Sequence, residues 1–96
     1  MFVVFDLAGV PRLEDPGNFR AFNVVCPTNL SDRQTVLSAV GRLDEAGYLW
    51  VERAWLEKHS PRDAAWQKGF ETMVTYAASL GWVDDSGAIR AHIESG

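Results

Sequence analysis

Near its start the chain carries four consecutive β-forming residues, Phe2-Val3-Val4-Phe5. They turn apolar side chains toward both faces of any strand they build. Such a strand needs cover above and below, and a chain of 96 residues has little material to supply it. A length of this order holds one domain, so residues 1–96 are read as a single α+β unit. The arrangement that meets both demands is a small sheet backed by helices, with a second subunit or a ligand over whatever stays open. A homodimer is therefore expected.

Composition narrows the partners. Nine Lys and Arg face thirteen Asp and Glu, a net charge of −4. Nucleic-acid binding calls for a basic surplus to neutralise phosphates, so that class is disfavoured. The longest apolar run, residues 1–5, is far too short for a bilayer helix, and Asp6 interrupts it before a signal-peptide core could form; no membrane association is expected. The single cysteine, Cys26, closes no intrachain disulfide, which fits a reducing, cytoplasmic setting. The unusual feature is aromatic. Trp50, Trp55, Trp66 and Trp82 make a short, acidic chain tryptophan-rich, and such residues either fill a core or line a pocket or subunit face.

Along the chain, residues 2–8 read as a strand and 9–18 as a loop ending in the Pro16-Gly17 turn. A second strand spans 19–26, with Phe22, Val24 and Cys26 on one face, and Pro27 stops it. Ser31-Asp32-Arg33-Gln34 has the form of a capping box. It opens a helix on which Val36, Leu37, Val40 and Leu43 recur at helical spacing, ending at Gly47. Residues 48–56 fit neither period cleanly and lean toward a strand. Ser60-Pro61-Arg62-Asp63 starts a second helix, whose stripe of Trp66, Phe70, Met73, Val74, Ala77 and Leu80 ends at Gly81. Its other face carries Ala65, Gly69, Thr72 and Tyr76. Trp82-Val83, the Asp84-Asp85-Ser86-Gly87 turn and residues 88–94 read as a hairpin, with a short helix from Ser86 as the alternative. No internal repeat stands out. The resulting order is β-β-α-β-α-β, an antiparallel sheet of about four to five strands against two amphipathic helices.

Two short resemblances bear on function. Val3-Val4-Phe5-Asp6-Leu7-Ala8-Gly9-Val10 resembles the opening of haloacid-dehalogenase-type phosphatases, which implies a nucleophilic aspartate at Asp6. Ala8 stands where that family carries its second, acid/base aspartate, and Val10 replaces the usual threonine. Leu37 through Trp50 is similar to a recognition helix and the start of a wing in winged-helix proteins, which implies a DNA-binding regulator. Strands replace the two helices that should precede it, and Asp44 and Glu45 oppose phosphates. Cys26-Pro27 reads as a buried end of a strand rather than a reactive thiol.

His59 and His92 lie 33 positions apart with no ligand spacing around them, so neither a metal nor a cofactor is implied. The remaining constellation is Arg90, His92 and Glu94, which a strand sets on one face. His92 as a proton-transfer group, Arg90 as an anion binder and Asp6 are the candidate catalytic residues. Trp50, Trp66, Tyr76 and Trp82 are the candidate ligand-binding residues. The expectation is an interaction or small-molecule-binding domain without a cofactor. The alternative is a cofactor-free isomerase or lyase acting on an aromatic or acidic metabolite.

Overall fold

The computed structural model describes residues 1–30 and 32–95. Three segments of the form Asp-x-x-Gly close three hairpins by the same bonds. Asp6 Oδ1 accepts from the N–H groups of Ala8 and Val10, both at 2.9 Å. Asp44 Oδ1 accepts from Ala46 and Tyr48, both at 2.9 Å. Asp84 Oδ1 accepts from Ser86 at 3.0 Å and Ala88 at 2.9 Å. In each turn the glycine N–H returns to the aspartate carbonyl, and Gly9, Gly47 and Gly87 sit at φ 82°, 91° and 87°. A short carboxylate satisfies the turn's donors and the glycine takes the left-handed conformation that a side chain would resist. The chain thus repeats a turn.

The first turn joins β1 (Phe2–Phe5) to β2 (Pro11–Glu14), antiparallel. β3 (Asn23–Val25) runs parallel to β1. After α1 (Arg33–Leu37), the second turn joins β4 (Gly41–Leu43) to β5 (Leu49–Val51). Then follow α2 (Arg53–Lys58), α3 (Ala64–Ser79) and β6 (Ile89–Glu94). The six strands form one mixed sheet in the order β2-β1-β3-β6-β5-β4. Strand β6 is divided between two partners: Ile89, Arg90 and Ala91 pair antiparallel with β5, while His92, Ile93 and Glu94 pair parallel with β3 on the opposite edge.

One sheet face carries Val3, Phe5, Val24, Leu49, Val51, Ile89 and Ala91, all buried. They join Leu37, Leu56, Trp66, Phe70 and Ala77 from the helices in one core. At about 25 cal/mol per Å² of apolar surface withdrawn from water, this cluster is the main stabilising contribution. The other face presents Phe2, Val4, Val25, Trp50 and Arg90, half-buried, and the exposed His92 and Glu94.

The α+β class stands as expected, with several corrections. The sheet is mixed, not antiparallel; the described residues form six strands and three helices, in the order β-β-β-α-β-β-α-α-β. Residues 9–18 contain β2, because the Asp6 turn folds Pro11–Glu14 back along β1; proline is tolerated there since β2 is an edge. The strand expected over 19–26 contracts to Asn23–Val25. The helix expected to run to Gly47 ends at Leu37. Leu37 and Val40 are buried, but Leu43 is 40% exposed on β4. The helical period there was a coincidence of two elements. The helix-capping reading at Ser31 lies outside the described residues. Residues 48–56 divide into a strand and the start of α2. The long helix begins later than Ser60-Pro61 implied: Asp63 is the N-cap, its carboxylate accepting from Trp66 N–H at 2.7 Å.

Candidate functional site

On the β6 edge that faces β3, the strand changes partner. Val83 bridges Ile89 and Trp82 C=O accepts from Arg90 N–H at 2.8 Å; two residues later β3 takes over. A cleft of about 160 Å³ opens beside this changeover, between the segment leading into β3 and the C-terminal half of α3. Phe19, Phe22, Met73, Tyr76 and Trp82 supply apolar walls, and Arg20 and Arg90 supply charge. That volume matches a benzene-sized group, since a cavity of ~150 Å³ binds benzene.

The Arg90 guanidinium lies 4.3 Å from the Tyr48 ring and 5.2 Å from the Trp82 ring. Both distances fall within the range of cation–π attraction. The two later Asp-x-x-Gly turns bring these rings to it: Tyr48 N–H is held by Asp44, and Trp82 precedes the Asp84 turn by two residues. Asp44 also takes Trp50 Nε1–H at 2.9 Å, and that bond, with the one from Tyr48, holds its carboxyl below the usual range. Asp84 is lowered from 3.8 to about 2 by bonds from Ser86, the Ala88 N–H and Arg42, whose guanidinium is 2.9 Å away.

Arg20 is presented by a segment tied down on several sides. The Met1 amino group donates to the carbonyls of Asn18 at 2.6 Å and Ala21 at 2.8 Å, and its burial lowers its pKa. Trp66 Nε1 donates to Pro16 C=O at 2.9 Å. The Phe19 ring lies so close to Gly69 that a Cβ there would stand 2.3 Å from it. Among the described residues, the ion pairs engage Arg12, Arg42 and Arg53, but neither Arg20 nor Arg90. Two arginines without carboxylate partners thus line one aromatic cleft of an acidic chain.

Trp82 and Tyr76 line the cleft, 37% and 65% exposed, whereas Trp50 and Trp66 do not. Trp66 is buried and stacks on Phe70 with ring centres 4.7 Å apart. Trp50 is pinned to Asp44 under Arg42, whose guanidinium is 5.5 Å from the ring. Arg90, His92 and Glu94 share the outer sheet face, and His92 meets the Tyr48 ring edge-on at 6.3 Å. Glu94 turns to Asn23, at 3.5 Å, rather than to the imidazole, so among the described residues no carboxylate bond orients His92. His92 lies with Arg90, Asn23, Phe22, Tyr48 and Trp82 around a shallower depression on the far side of the Arg90–Trp82 wall. Asp6 lies in a separate depression, its carboxylate engaged by its own turn. Cys26 is fully buried.

Sequence reasoning missed Arg20, Phe19, Phe22 and Met73. Only the fold brings them together, and an unpaired arginine has no signature in a linear sequence. Among the described residues no group of three or more His, Cys, Asp and Glu assembles, and no helix is long and apolar enough to cross a membrane. The chain matches no protein-family model, no curated protein and no solved structure.

Proposed function

We propose that this protein is a binding domain that captures an apolar group bearing an acid, without chemistry of its own. The observation that carries this reading is the pair Arg20 and Arg90, without carboxylate partners among the described residues, in a cleft walled by Phe19, Phe22, Tyr76 and Trp82. The Arg90 guanidinium lies within cation–π range of the Tyr48 and Trp82 rings, and an arginine held in this way binds a carboxylate through its N–H donors in the planar, bidentate manner. The apolar walls bind the remainder of the ligand and exclude water from the ion pair, which strengthens it.

The test is titration with 3-phenylpropanoate and its neutral amide, followed by amide chemical shifts and tryptophan fluorescence. The acid perturbs residues 19–22, 76, 82 and 90, and the amide binds at least about tenfold more weakly, the size expected for a lost charge-assisted bond. Arg90→Ala removes the preference for the acid. Equal binding of acid and amide by the unaltered protein would sink the reading.

A further inference from the structure

We infer that the acid is the free C-terminus of a peptide, lying along α3 with its last side chain in the cleft. The inference rests on the binding reading above and extends it beyond the cleft. The same walls run on: Phe19, Met73 and Tyr76 also border a groove floored by Gly69 and continued by Ala65, Lys68 and Thr72. A compact acid would fill the cleft and leave this groove empty. An extended chain would fill both, because the groove follows the helix away from the arginines.

Gly69 forms this floor for a physical reason. With no Cβ, it lets the Phe19 ring lie against the helix backbone, and any larger residue would push the ring outward. The charges give the direction. The cations Arg20 and Arg90 flank the cleft by the C-terminal half of α3, and Lys68 lies two turns toward its start. Among the described residues, the ammonium of Lys68 takes part in no ion pair. A carboxylate terminus therefore belongs at the arginines and an acidic side chain at Lys68. From Tyr76 to Lys68 the helix rises roughly 12 Å at 1.5 Å per residue. An extended peptide covers that in about four residues at ~3.3 Å each. The partner is thus a peptide ending in an aromatic or large apolar residue, with an acid about four positions before it.

The deciding experiment compares fluorescein-labelled Glu-Ser-Gly-Ser-Phe as free acid and as C-terminal amide, by anisotropy, with 3-phenylpropanoate as competitor. The free-acid peptide binds at least about tenfold more tightly than 3-phenylpropanoate, and amidation costs it about ten- to a hundredfold. Lys68→Glu narrows the gap between peptide and small acid. Gly69→Leu, which displaces Phe19, narrows it as well, and its melting temperature reports whether the fold persists. If 3-phenylpropanoate binds as tightly as the peptide, the peptide inference is overturned while the acid-binding reading stands. If amide and acid peptides bind alike, or no probe binds at all, both fall.

Discussion

The two wings of the sheet are built by different means. The β4-β5 wing is local: its register follows from the Asp44 turn, a five-residue device complete within the hairpin. The β2-β1-β3 wing has one such hairpin, but its other bonds are parallel and distant in sequence. Phe2 pairs with Asn23, and Asn23 with His92. Parallel neighbours need long connections, so nothing near β1 or β3 dictates their pairing. What holds them is burial: Val3 and Val24 are wholly inaccessible and Phe5 nearly so. The β4-β5 pairing is set by turn chemistry within five adjacent residues, whereas the β1-β3 and β3-β6 pairings are set by burial between segments distant in sequence.

The largest expected effect removes what the wings share. Phe70 stacks on Trp66 and belongs to the common core, so Phe70→Ala costs about 3–5 kcal/mol. Urea unfolding followed at β1 and at β5 shifts by the same amount in one transition; separate transitions would mean that the wings are independent units. A smaller effect is confined to one wing. A Cβ on Gly41 would lie 2.1 Å from the Trp50 carbonyl oxygen, so Gly41→Ala forces β4 off β5 at about 1–3 kcal/mol. Hydrogen exchange speeds up at β4 and β5 while the β1 and β3 amides keep their protection. Equal loss in both wings would erase the contrast.

The smallest effect is pH-dependent. Asp84 and Asp44 are more acidic folded than unfolded, so their contribution is complete above about pH 4 and fades as pH falls toward 2. Urea midpoints decline across that window, and Asp84→Asn flattens the decline. An unchanged slope would remove the turns from the account.

The same division explains what could be read from the sequence. The long helix was legible because Trp66, Phe70, Met73, Val74 and Ala77 recur at a period that only a helix buries. The hairpin at Asp84 was legible from turn chemistry. The identical code at Asp6 and Asp44 was masked by context. Pro11 and the charges around it suggested a loop, and Val36 to Leu43 continued a helical period across a boundary set by the close approach of Gly41 to Trp50. On the site, alternation placed Arg90 and His92 on one face, and Trp82 and Tyr76 were named, with Trp50 and Trp66, as aromatic pocket candidates. Arg20 was invisible because the residues that close the cleft opposite it, Met73, Tyr76, Trp82 and Arg90, lie more than fifty positions away.

Strand β6 gives three of its residues to each wing, and Arg90 lies on the stretch where the two pairings meet. A ligand gripping that guanidinium would therefore bear on the strand that joins them. Under the proposed binding, occupancy would act as a rivet: by mass action it would stabilise the joined state and raise the free energy at which either wing can open alone. The strength of binding and the mechanical unity of the domain become two readings of one quantity. A protease probing the β4-β5 hairpin would sense the ligand without ever touching the cleft.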